Sequence, residues 1–193
     1  MRLNLDAPFA AIDAANDADP AVLSWHGADR PKARLQGERA SVWLDRLAPD
    51  AGDALRLAAR AHHVRRFALP RSSYPEGRSG YLRWRRDQKA AHAAALVELL
   101  TPLGVPDAII ARAGDLVQKV GLGTDPETQV FEDVVCLVFC ETELDELLAN
   151  IGEDKVRDAV IKTAGKMSPA GLALAPEAAP PGPGLDLLRT LLS

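Results

Sequence analysis

Apolar residues recur along this chain at intervals of three and four, the spacing that puts them on one face of an α-helix, and no run of alternating apolar and polar positions sits between hairpin turns. The pattern predicts an all-α fold with strand content near zero. Phe9 and Ile12 mark a first helix over 8–15, closed by the polar cluster Asn16, Asp17, Asp19 and Pro20. Residues 20–37 are expected as loop, with a short turn about Leu23 and Trp25. Val42, Trp43 and Leu47 form the inward stripe of a second helix over 38–47, which Pro49 and Gly52 break, and a third is expected over 53–66. Pro70 and the run RSSYPEGRSG impose a loop before a long helix over 81–100, stopped near Pro102 and Gly104. Pro106 suits the first turn of a helix reaching about Val120, and further helices are expected over 127–150 and 153–166.

The last part of the chain changes character. Five prolines and three glycines between Pro169 and Gly184 read as an extended tether, followed by the short amphipathic piece LDLLRTLLS. The expected organisation is therefore a helical domain over 1–168, a Pro/Ala/Gly-rich linker over 169–184 and a tail over 185–193 that docks on its own domain or joins a homo-oligomer. The chain's 193 residues suit a single-domain helical bundle with such a Pro/Gly-rich C-terminal tail. Its hydrophobic fraction of 47% is ample for a core. No apolar run approaches the roughly 20 residues that span a bilayer, and the N-terminus lacks an apolar signal core, so a cytoplasmic protein with no membrane partner is expected. Two cysteines cannot provide a disulfide framework.

Net charge alters the picture more. The total is −4, yet Arg56 to Lys89 holds ten Lys/Arg against only Glu76 and Asp87, a local +8 that leaves −12 for the remainder. Such separation is costly unless an anionic face or ligand sits opposite. The segment HHVRRFALPRSSYPEGRSGYLRWRRDQ interleaves arginines with both tyrosines and a tryptophan. Arginine forks suit phosphate, and aromatic rings stack on bases or guanidinium groups, so an anionic ligand is expected. Lys119 either joins that site or complements the dipole at the end of its helix.

Further candidates lie on the helices. VVCLVFC at 134–140 is apolar on all sides, as in a helix buried through a bundle, while Glu132 and Asp133 enter its first turns. A buried carboxylate needs a partner, a hydrogen bond or a metal; the alternative is that both acids face water at the helix N-terminus. His62-His63 and His92 sit on two Ala/Leu-rich stretches, and His63 and His92 can point inward together. Imidazoles and carboxylates from several helices suit a divalent metal such as Zn, Mn or Fe, although an inward histidine also serves as an ordinary core residue. Cys136 and Cys140 are expected to be small core residues.

The strings LAARAHHVRRFALPRSSYPEGRSGYLRWRRDQKAAH and PETQVFEDVVCLVF closely resemble an uncharacterised bacterial and fungal family, a domain of unknown function, over most of residues 8–173. More weakly, the order of elements is similar to the HD-domain metal phosphohydrolases, all-helical proteins whose His and Asp residues bind divalent metal. That resemblance implies an HD-domain-like bundle with Glu38, His62, His63, His92 and Asp133 as metal ligands; the family's His-Asp dipeptide stands here as His62-His63. It further implies that Glu132, Asp133 or Glu38 serves the proton chemistry and that Arg66, Arg71, Arg78 and Lys119 hold the substrate phosphate. The expected function is metal-dependent hydrolysis of a phosphorylated small molecule, such as a nucleotide. The alternatives are a nucleic-acid or RNA-binding module built on residues 56–89 and a non-catalytic interaction protein.

Overall fold

The computed structural model describes residues 2–192; residues 1 and 193, the outer ends of the expected domain and tail, lie outside the described residues. The fold is all-α apart from one small hairpin. Helix α1 (Asp6–Asn16) leads into β1 (Val22–Trp25) and β2 (Ala28–Pro31), followed by α2 (Lys32–Leu47) and α3 (Asp53–Arg60). Next come α4 (Gly77–Leu100), α5 (Asp107–Gln118), α6 (Pro126–Thr142), α7 (Leu144–Ile151), α8 (Glu153–Ala164), α9 (Pro169–Ala178) and α10 (Pro183–Leu192).

The hairpin corrects the expectation of loop over 20–37. Its antiparallel register pairs Val22 with Pro31 and Trp25 with Ala28. The connection is the two-residue turn His26-Gly27, with φ of 51° and 81°. Two successive positive φ values match the twist of the flanking strands, and glycine at the second position lowers the cost.

Helix α6 runs through the centre, as its uniformly apolar stretch predicts. Phe131, Val134, Leu137 and Val138 are each at most 1% exposed. α2 and α9 pack on it, while α5 packs against both α3 and α4. The helix expected over 127–150 divides after Thr142, because Glu143 leaves helical geometry at φ −129°. Thr142 Oγ1 bonds back to Val138 O, and Gln36 of α2 donates to both Thr142 and Glu143, holding the break.

The expected tether over 169–184 is overturned. Ser168 caps α9 by accepting from Gly171 N, Pro169 takes the first-turn position, and Ala175, Ala178 and Ala179 are buried. Pro183 likewise opens α10, whose Leu185, Leu187 and Leu188 are buried by the chain itself, with α10 packed on α7 and α9. These leucines therefore close the core of their own domain instead of offering a free oligomerisation face.

Candidate functional site

Helix α3 ends at Arg60, so His62 and His63 lie in the tight turns beyond it and not within a helix running to residue 66. The chain unwinds there because neighbouring elements capture its backbone. Arg65, at φ 49°, donates its N–H to Asn16 Oδ1 of α1. From α4, Trp84, Gln88 and His92 project at successive intervals of four, one helical stripe facing the turn. His92 Nδ1 meets Val64 O at 2.8 Å, Gln88 Nε2 donates to Arg66 O and Leu69 O at 2.9 and 2.7 Å, and Trp84 Nε1 donates to Leu69 O at 2.9 Å. Three side chains of one helix thus satisfy the carbonyls that the interrupted helix exposes.

This scaffold gathers the three histidines. The His62 and His63 rings stack with centroids 4.2 Å apart, and the His63 and His92 centroids are 6.4 Å apart. Hydrogen-bond partners assign one tautomer to all three. His62 Nδ1 lies 3.2 Å from Ala59 O and His92 Nδ1 2.8 Å from Val64 O; a carbonyl only accepts, so each Nδ1 carries the proton. His63 Nδ1 lies 2.7 Å from Gln36 Oε1, whose amide nitrogen is already donating to Thr142 and Glu143, so this Nδ1 donates too. Nε2 is left as a lone pair on every ring. The buried Nε2 of His62 and Oε1 of Gln88 have no hydrogen-bond partner.

The rings are neutral. Burial pushes His62 down to about 3, reinforced by His92, Lys119 and Arg66. Burial likewise lowers His92 to about 4, with Arg66 contributing, and holds His63 well below the ordinary imidazole value.

The histidines line a cavity of about 440 Å³ between α4, α5, α6 and α8. Six cations line it with them, Arg66, Arg85, Lys89, Lys119, Lys162 and Lys166, against two acids, Glu132 and Glu143. Both acids already have partners: Glu132 pairs with Lys119, and Glu143 with Lys32 at 3.2 Å. Arg66, Arg85, Lys89, Lys162 and Lys166 have no carboxylate partner among the described residues. Arg66 instead lies over the Trp84 ring at 4.9 Å, and Lys89 Nζ donates to Gln118 O at 3.0 Å. Burial, then repulsion from Lys119 and Arg85, lowers the Lys89 pKa. A second cavity of about 330 Å³ shares the wall of His63, Arg66, Trp84, Gln88 and Glu143.

Several expected site residues belong elsewhere. Asp133, 1% exposed, faces α9: it accepts from Ser168 N at 2.8 Å, Ser168 Oγ at 2.5 Å and Gln129 Nε2 at 3.1 Å, and it lines neither cavity. One step along α6 turns it about 100° from Glu132, which does reach the site. Glu38 is occupied by Arg30 at 2.9 Å and Arg34 at 2.8 Å, also away from both cavities. Arg71 lines only the second cavity, where its guanidinium braces Tyr74 O and Pro75 O, while Arg78 is exposed and lines neither. The metal-ligand set implied by the HD-domain resemblance is therefore not assembled. Among the described residues no group of three or more His, Cys, Asp or Glu is placed to hold an ion.

The basic segment is divided in the same way. Arg56, Arg60, Arg65 and Arg86 are spent on Asp45, Asp13, Glu98 and Asp87. Trp84, Arg85, Gln88 and Lys89 enter the site as members of the basic, aromatic segment 56–89, and the four-residue spacing of Trp84, Gln88 and His92 is the signal that places them on one face; Gln36, Glu143, Lys162 and Lys166 join from outside the predicted site. Cys136 and Cys140 are buried, which raises both thiols to about 12 and keeps them protonated.

No curated protein and no solved structure matches the chain. A family model described as a domain of unknown function, DUF4202, matches residues 6–187, and the chain belongs to that family.

Proposed function

We propose that this member of a domain family of unknown function binds a phosphorylated small molecule in the α4–α5–α6–α8 cavity and hydrolyses its phosphate ester. The observation that carries the reading is the meeting of five cations lacking carboxylate partners with three neutral imidazoles. Guanidinium and ammonium groups placed around a bound phosphate stabilise the charge that develops on a transferring phosphoryl group. The split of residues 56–89 between internal ion pairs and the cavity supports a small ligand over a nucleic-acid backbone.

His63 is the residue best suited to move the proton. It borders both cavities, and Gln36 orients its ring through Nδ1, leaving Nε2 to accept. Water then attacks phosphorus, its oxygen forming the new P–O bond while one proton passes to His63 Nε2. The ester P–O bond breaks, and the same proton goes to the departing oxygen. An arriving phosphate dianion offsets the repulsion from Arg66 and Lys119 that helps hold this imidazole neutral, and so strengthens it as a base. No metal is given a step, because the expected carboxylate ligands Asp133 and Glu38 are committed to other partners.

The test is phosphate release from a panel of sugar phosphates and nucleotides, with and without added Zn, Mn or Fe. Release from at least one compound is expected. His63→Ala should reduce it about 100-fold or more while leaving binding within a few-fold. Binding without release from any compound would overturn the hydrolase reading, and absence of binding would overturn the site.

A further inference from the structure

The charge around the cavity exceeds what one phosphate group neutralises. Glu132 pairs with Lys119 and Glu143 with Lys32, though Glu143 also acts on Arg66 and Glu132 on Lys89 through space. The histidines are neutral, which leaves Arg66, Arg85, Lys89, Lys162 and Lys166 without ion pairs of their own. They fall into two groups. Arg66 lies at the Trp84 end, beside Arg85, which donates to Tyr81 Oη from the same stretch of α4. Lys89 lies at the α5 end, where its ammonium is held at Gln118 O, and Lys162 and Lys166 project from the α8 side. Lys162 lies in the last turn of α8 and Lys166 in the turn just beyond its end at Ala164, so the two ammonium groups border the same end of the cavity. Burial lowers the Lys89 pKa first, and Lys119, Arg85 and Lys166 lower it further against the opposing pull of Glu132, so cations outnumber carboxylates around this ammonium.

We propose that the ligand carries two phosphoryl groups, as a diphosphate ester or a bisphosphate, one held by Arg66 and Arg85 and the other by Lys89, Lys162 and Lys166. This rests on the reading of the cavity as a phosphate site and specifies its ligand. A monoester dianion leaves about three of the five positive charges unmatched, whereas a second phosphoryl group brings the total close to balance. The volume of about 440 Å³ lies within the range that ordinarily houses a small ligand.

Calorimetric titration at one ionic strength, with inorganic phosphate, pyrophosphate and citrate, tests this. Pyrophosphate should bind about tenfold or more tightly than phosphate, and also more tightly than citrate, a trianion without phosphoryl groups. Lys162→Gln with Lys166→Gln, both exposed positions, should abolish the pyrophosphate advantage while phosphate affinity changes less than about threefold. Arg78→Gln with Arg83→Gln, exposed and outside the cavity, should leave the advantage intact. ADP against AMP, and fructose 1,6-bisphosphate against fructose 6-phosphate, then separate the diphosphate from the bisphosphate. Equal affinity for phosphate and pyrophosphate, or equal tightness of citrate and pyrophosphate, overturns the proposal while the phosphate site stands. Failure of every phosphate compound to bind overturns the site and this proposal with it.

Discussion

Lowering the pH from about 7.5 to about 5 should destabilise this protein well before its carboxylates protonate, because His62, His63 and His92 are held neutral in the native state. The native values are about 3 for His62 and about 4 for His92, against an ordinary imidazole value of 6.5. Between those limits the unfolded chain binds more protons than the native one, so stability rises with pH and is lost as pH falls. At about pH 5 protonation favours the unfolded state by about 2 kcal/mol for each such group, or about 4 kcal/mol for His62 and His92 together. His63, also depressed, adds in the same direction. Such a loss is a large share of the 5–15 kcal/mol typical of a domain. Urea unfolding at the two pH values, with the proton uptake measured at about pH 5, is the assay. A midpoint unchanged across this range, or uptake near zero, would refute neutral burial of these rings.

Asp133→Asn should lower stability by about 1–3 kcal/mol, because it weakens the bonds to Ser168 that start α9, yet leave phosphate affinity unchanged. Denaturation and titration of one variant check both halves; a metal-ligand role would reverse the pattern. Gly171→Ala should cost about 1–3 kcal/mol or more in urea unfolding, since a Cβ there would lie 2.6 Å from Asp133 Cγ in the α6–α9 contact. Glu38→Gln should leave both turnover and binding within about twofold, because its partners Arg30 and Arg34 are remote from the cavity.

Periodicity was a good guide to the helices and a poor one to their ends. The run 134–140 is apolar all round because α2, α9 and the elements beside them surround α6, and that burial was legible. The end of α3 was not: Arg60 gives way to turns through long-range bonds from Asn16, Gln88 and His92, which local sequence does not encode. Proline misled at 169–184, where Pro169 and Pro183 begin helices and the alanines between them pack. In the site, the histidines, Arg66, Lys119 and Glu132 were legible as buried or clustered chemistry. Asp133 was legible as a buried carboxylate needing a partner, while its place among metal ligands came only from the HD-domain resemblance; its neighbour's place at the cavity shows that one residue along a helix decides which face a carboxylate serves. Lys162 and Lys166 carried no local signal, since exposed lysines at the end of a helix are ordinary until the fold sets the end of α8 and the turn beyond it around the same cavity as α4.

The central claim is that a tetrahedral oxyanion sits among these cations and histidines. Crystals soaked in tungstate, a heavy-atom stand-in for phosphate, test it directly through anomalous density. The account predicts a strong peak inside the cavity, within hydrogen-bonding reach of Arg66 and Arg85 or of Lys89. Peaks confined to outer arginines such as Arg78 and Arg83, with none in the cavity, would contradict it.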